Sequence, residues 1–168
     1  MYRAVALFAI NNGIDAKNET EKLVSRLNEV EIDIKYTDEG QQIYLLGENV
    51  SKRIREEDVS VGASNVAVIP EVRKKLVELQ RKMAESANVI MDGRDICSYV
   101  LPNADVKVYL TASVECRAMR RFKELEGKGE ACDFEQIRQD IQERDERDMT
   151  REIAPLKQAE DATLIDSS

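Results

Sequence analysis

Three short, mostly apolar runs set the narrowest limit on how this chain can fold. Residues 88–91 (NVIM), 106–110 (VKVYL) and 162–165 (ATLI) are too brief for helices, and stretches of helical periodicity separate them. Apolar runs of this kind between helices belong to a parallel sheet covered on both faces. An open parallel sheet binds its ligands beyond the carboxyl ends of its strands. Chemistry is therefore expected just after Met91 and Leu110.

The part of the chain before Ala87 reads differently. Residues 4–10 are uncharged and run into Asn11-Asn12-Gly13, which is how a helix C-terminus looks, while nothing upstream could cap the other end. Residues 17–29 place Leu23, Val24 and Leu27 on one helical face. Residues 30–36 then alternate strictly, with Val30, Ile32, Ile34 and Tyr36 on one side and Glu31, Asp33 and Lys35 on the other, the period of a half-buried strand. Asp38-Glu39-Gly40 supplies a turn and residues 42–46 a second strand, so an antiparallel hairpin flanked by helices is expected. Helices are expected over 51–57 and about 61–86, the latter broken or bent at Pro70. Further helices are expected over 113–125, with Ser113 as N-cap, and over 134–149, separated by the charged loop EGKGEACD.

Composition closes off several classes of function. The 168 residues suit one domain, and an apolar share of 42% suffices for a core. A net charge of −8 argues against non-specific binding to nucleic acid or an anionic membrane, so any anion has to be held by a local arginine cluster. The absence of histidine excludes a His-based triad or metal site. Cys97, Cys116 and Cys132 form no C-x-x-C pair and suggest a reduced, cytoplasmic chain. No stretch approaches the ~20 apolar residues of a membrane helix, and the opening run lacks a signal-peptide cleavage pattern.

Four constellations carry candidate chemistry. In DGRDI, residues 92–96, Arg94 and Asp95 follow the first apolar run; they mark either a site at a strand mouth or an ordinary Asp-Gly turn with a solvated ion pair. The stripe Phe134, Ile137, Ile141 must face a core and continues at helical spacing as Arg144, Asp148 and Arg151. Those ionic groups form an internal network with Asp145 and Glu152, or they converge on a phosphate with Asp148 accepting from a ligand hydroxyl. Arg117, Arg120 and Arg121, with Lys123 and Lys128, form either a mobile lid over phosphates or a solvated face paired with Glu115 and Glu124. Ser64 and Arg73 flank the break at Pro70, which could bring them together.

Taken in order, MYRAVAL, ASNVAVIPEVRKKLVELQR, MDGRDI with VLPNADVKVYLTAS, the arginine-rich helix and ERDERDMTREIAPLKQAEDATLIDSS resemble the landmarks of bacterial cytidylate kinase across essentially the whole chain. The resemblance implies an α/β fold: a P-loop kinase-like parallel sheet flanked by helices, lacking its first strand. A small antiparallel insertion would form the monophosphate-binding region at about 20–60 and a lid would lie at about 117–133. It implies transfer of a phosphoryl group from ATP, with Mg²⁺, to CMP or dCMP in a cytoplasmic monomer. Tyr2 and Arg3 would lie at the monophosphate pocket, with Arg3 on the acceptor phosphate. Ser64 would read the cytosine edge, Arg73 would hold the base from the other side, and Asp95 would also touch the base. Arg94 and Arg144 would bind phosphate, Asp148 the ribose hydroxyls, and Arg151 both sugar and phosphate. Arg117, Arg120 and Arg121 would close over the ATP phosphates.

The sequence also departs from that pattern. The family's G-x-x-x-x-G-K-[ST] loop, whose backbone and Lys hold the donor phosphates, occurs nowhere in the 168 residues. A chain truncated at both ends is therefore expected, with an acceptor pocket, little catalytic power and marginal stability. A non-catalytic CMP-binding protein is the alternative, and an acidic helical interaction module the remaining one. Cys97-Ser98-Tyr99 stands where a Gly-Thr pair is usual, and Met119 where a basic lid residue is usual.

Overall fold

The computed structural model describes residues 1–168, which divide into two compact units, Met1–Ser86 and Ala87–Ser168. In the first unit, helix α1 (Tyr2–Asn11) is the centre of the core. Ala4, Val5, Ala6, Leu7, Phe8 and Ala9 are all buried, and a helix apolar on every side can only sit inside. Met1 caps it without a side-chain bond, as the sequence suggests. Its other end closes in a Schellman motif: Gly13 adopts φ +62°, its N–H donates to Ile10 O (3.0 Å) and Ile14 N–H donates to Ala9 O (2.9 Å). Ile14 is then buried beside the helix it terminates.

Helix α2 (Thr20–Ser25), a 3₁₀ turn at Leu27–Glu29, helix α3 (Glu57–Val66) and helix α4 (Pro70–Ser86) complete this unit with the hairpin. Pro70 opens α4 rather than kinking a longer helix, because a missing N–H costs nothing in the first turn. The expected helix over 51–57 shrinks to a 3₁₀ turn at Arg53–Arg55. Strands β1 (Ile32–Thr37) and β2 (Gly40–Leu45) pair antiparallel from Ile32↔Leu45 to Thr37↔Gly40, and β3 (Glu48–Asn49) extends the sheet. The expected buried face holds only at its base. Ile32 is buried, whereas Tyr36 is 77% exposed, because the hairpin tip runs past the core. Helices α1 and α3 approach closely at Gly62, where an added Cβ would stand 3.1 Å from the Ala6 Cβ.

The second unit contains a π-helical turn at Ile96–Val100, strand β4 (Val108–Thr111), helix α5 (Val114–Gly127), helix α6 (Phe134–Thr150) and strand β5 (Thr163–Asp166). Strands β4 and β5 are parallel, in register from Val108↔Thr163 to Thr111↔Asp166. Ser113 caps α5 by accepting from Cys116 N–H (3.2 Å), and Asp133 caps α6 by accepting from Gln136 N–H (2.7 Å). Phe122 and Phe134 meet edge to face at 6.2 Å and join the two helices.

Two expectations about this unit are corrected. Residues 88–91 are not a strand: Ile90 is fully exposed, and no other strand pairs with the run. A four-residue apolar run takes strand form only when a neighbouring strand satisfies its backbone. Nor is the sheet covered on both faces, since Val108, Leu110, Leu164 and Ile165 of its two strands are all exposed.

The Gly62–Ala6 approach predicts that Gly62→Val lowers the unfolding free energy by about 1–3 kcal/mol through overpacking, read by thermal denaturation. A second prediction concerns pH. The Arg53 guanidinium grips Asp58 at 2.7 and 2.5 Å and holds its carboxyl at about 2, below the ordinary 3.8. A depressed carboxylate stabilises the fold above its unfolded pKa and loses that contribution as pH falls through the folded one. In Asp58→Asn, the thermal midpoint should therefore fall less steeply than wild type between about pH 4 and pH 2.

Candidate functional site

Four of the charged groups expected to carry chemistry, Arg94, Asp95, Asp148 and Arg151, cluster in the second unit, and Arg73 meets Tyr2 in the first. In Ala87–Ser168 the cluster forms where the DGRDI turn meets the C-terminal end of α6. Asp95 leads into the π-helical turn, its carbonyl accepting from Tyr99 N–H (2.9 Å) and Val100 N–H (3.1 Å). Such wide turns recur at functional sites because they re-aim side chains. Asp95 is only 6% exposed, and Arg151 Nη2 lies 3.6 Å from its Oδ1.

Arg151 ends α6 and is itself held from three sides. Its Nε donates to Ala154 O (2.7 Å), its Nη1 lies 3.6 Å from Asp148 Oδ1, and its Nη2 faces Asp95. Asp148 accepts a second contact, from Arg94 Nε to its Oδ2 at 3.0 Å. The result is an alternating chain, Arg94–Asp148–Arg151–Asp95, of two cations and two anions. Two guanidiniums in this arrangement can divide an anion between them, and the carboxylates can accept from hydroxyl or amine donors.

Other expected residues lie elsewhere. The half-buried face of α6 runs Phe134, Ile137, Ile141, Asp145, Asp148, so the stripe continues through Asp145 and leaves Arg144 exposed. The spacing of 3.6 residues per turn makes 144 and 145 near-equal continuations of 141, and the structure takes the second. Arg117 meets Asp145 as a fork, Nη1 to Oδ1 at 3.0 Å and Nη2 to Oδ2 at 2.5 Å, and its Nε donates to Ala112 O. Arg120 donates to the Ser167 carbonyl. Arg121 pairs with Glu124 at 3.0 Å; Lys128 and Arg121 together hold the Glu124 carboxyl below the usual carboxylate range.

A cavity of about 490 Å³ opens beside this network, walled by Arg94, Cys97, β4, Arg117, Asp145 and Lys157. That volume suits a small organic ligand. Ser98 also lines it, with a buried Oγ that has no hydrogen-bond partner. Nothing in periodicity or charge pattern marks Lys157 or Ser98 as wall residues, and Asp145 stands out only through its helical spacing from Ile141. No group of three or more Cys, Asp or Glu side chains converges as a metal cage.

In Met1–Ser86, Arg73 is 2% exposed on α4, with Nη1 donating to Ala67 O (3.2 Å) and its guanidinium 5.9 Å from the Tyr2 ring centre. Cation and ring thus make a preformed, planar-walled contact. Ser64 is half-buried on α3. Arg3 is exposed, and its Nη1 donates to Ile54 O at 3.0 Å.

The Arg117–Asp145 fork should be structural. Asp145→Ala is expected to lower the unfolding free energy by about 1–3 kcal/mol and to speed hydrogen exchange in α5, since it strands a guanidinium that is two-thirds buried. An unchanged exchange rate would show that the fork does not hold the helices.

A family model described as cytidylate kinase matches residues 1–168. The chain is 49% identical over its whole length to a cytidylate kinase of Caldicellulosiruptor bescii, covering 74% of that protein. It is 45% identical to the cytidylate kinase of Anoxybacillus flavithermus, again covering 74%, and 44% identical to that of a Geobacillus species, covering 75%.

Proposed function

The chain belongs to the cytidylate kinase family, and from that membership we propose that its residues serve ATP-dependent phosphoryl transfer to CMP or dCMP. An oxygen of the acceptor phosphate bonds to the γ-phosphorus of ATP, the bond from that phosphorus to the β,γ-bridging oxygen breaks, and ADP leaves with the electron pair. The acceptor oxygen is ionised near neutral pH, so no strong base is needed and the absence of histidine is no obstacle. What the reaction asks of the protein is positioned positive charge.

The observation that carries this reading is the network at the end of α6. Arg94 and Arg151 flank Asp148, in reach of a common anion, and they fit the acceptor phosphate. Asp148 fits the ribose hydroxyls and Asp95 the cytosine amino group, both as acceptors. The buried Arg73, with Tyr2, fits the base, Ser64 its polar edge and Arg3 the phosphate. Arg144, exposed on α6, can meet phosphate only from the solvent side of that helix. Arg117, Arg120 and Arg121 would belong to a lid at about 117–133, and the monophosphate-binding region would span about 20–60. Their present partners, Asp145, Ser167 and Glu124, would have to release them for donor phosphates.

Mg²⁺ would travel with the donor phosphates, since the chain's own residues form no three-ligand cage, and no step is assigned to it. No helix is long and apolar enough to cross a membrane. The family reading makes the protein a cytoplasmic monomer, and the net charge of −8 favours nucleotides over nucleic acid as its ligands. The absence of a G-x-x-x-x-G-K-[ST] run in these 168 residues favours acceptor binding with weak turnover for this stretch alone, which is also what a CMP-binding protein would show.

Calorimetric titration should show CMP binding that weakens at least about tenfold in Arg151→Ala, because charge-assisted contacts to phosphate are lost. A coupled ADP-release assay on the same 168 residues should show slight turnover. Absence of heat, or heat indifferent to the substitution, would overturn the acceptor site; normal turnover would overturn the weak-donor reading.

A further inference from the structure

We propose that Asp148 is a stand-in anion: with no nucleotide bound it holds Arg94 in the place of the acceptor phosphate, and it yields Arg94 when that phosphate arrives. The inference rests on the reading that Arg94 and Arg151 meet the phosphate. Its starting point is how the carboxylate divides itself. Oδ2 takes Arg94 Nε at 3.0 Å and Oδ1 faces Arg151 Nη1 at 3.6 Å, so one anionic group already bridges two guanidiniums. A phosphate between the same two arginines would compete for the same donors.

The two arginines differ in how firmly they are held. The Arg151 side chain is 11% exposed and has Ala154 O and Asp95 as further partners, so it stays in place whatever Asp148 does. The Arg94 side chain is 43% exposed and is tied to Asp148 through Nε. Asp148 is anchored through its backbone, whose carbonyl accepts Leu156 N–H at 2.8 Å. Side chains, not helices, therefore make the exchange. Arg94 is the mobile partner.

The exchange couples two recognitions. While Arg94 occupies Oδ2, that oxygen is less available to a sugar hydroxyl. A phosphate that draws Arg94 away frees the carboxylate for the ribose. A nucleoside without phosphate cannot trigger this exchange, so the contact favours the monophosphate over the bare nucleoside.

The test uses the full chain with inorganic phosphate, cytidine and CMP as probes. Asp148→Asn keeps shape and removes charge; its affinity for inorganic phosphate should rise roughly two- to tenfold, the scale of a partly exposed ion pair. Adding Arg94→Ala should abolish the gain. In the unmodified chain, the NMR resonance of the Arg94 Nε–H should move with phosphate and with CMP but not with cytidine. Unchanged or weaker phosphate binding in a folded Asp148→Asn, or an Arg94 signal indifferent to CMP, would overturn the exchange. If the variant does not fold, the NMR arm decides alone. Failure of the unmodified chain to bind CMP would instead remove the acceptor site itself, a separate result.

Discussion

The Arg151 guanidinium is the group around which the second unit is arranged. A cation this far from water costs several kcal/mol unless each of its donors finds an acceptor. Oxygens surround it on three sides: the Ala154 carbonyl as a hydrogen-bond acceptor, and the carboxylates of Asp148, one turn back on α6, and Asp95, in the DGRDI turn, as ion-pair partners at 3.6 Å. One side chain therefore closes α6, fixes the turn that follows it and anchors a segment more than fifty residues upstream. The turn is itself strained, since Ala154 adopts φ +50°, a region that disfavours residues with a Cβ. Such strain persists only where the surroundings over-determine it, as happens at ligand sites.

The same helix shows how identical chemistry serves two purposes. Asp145 and Asp148 lie three residues apart on the half-buried face of α6, and each receives an arginine. Arg117 presents both terminal nitrogens to Asp145 and its Nε to a carbonyl, a two-pronged clasp that fixes the guanidinium from both sides. Arg94 gives Asp148 one nitrogen and remains close to half exposed. Multiplicity of contact and exposure thus separate a brace from an exchangeable partner, where residue type and helical spacing do not.

Much of this was legible in the sequence because it depends on neighbours along the chain. The Asn-Gly end of α1, the Ser113 cap, the turn at 38–39 and the interruption of helix at Pro70 are all local chemistry. Legibility failed where the outcome depends on distant surfaces. Residues 88–91 have the composition of a strand, but strand form requires a partner that composition does not reveal. Tyr36 keeps the alternation of a buried face, yet the hairpin outruns the core that would bury it. The continuation of the Ile141 stripe was ambiguous by one residue, and the choice of Asp145 over Arg144 was settled by Arg117, which comes from another helix.

The charge balance links these points to function. A net charge of −8 describes how the chain looks from afar and would repel an incoming nucleotide phosphate. Close to the α6 terminus, each guanidinium is matched by a carboxylate, so the cluster is nearly neutral before any anion enters. An anion is then drawn in less by the field of the whole protein than by short, directional contacts that replace ones already present. Recognition of that kind depends on geometry more than on charge count. On the proposed reading it would let an acidic chain hold a phosphate without a large exposed basic patch, because the carboxylates that neutralise the arginines are themselves hydrogen-bond acceptors.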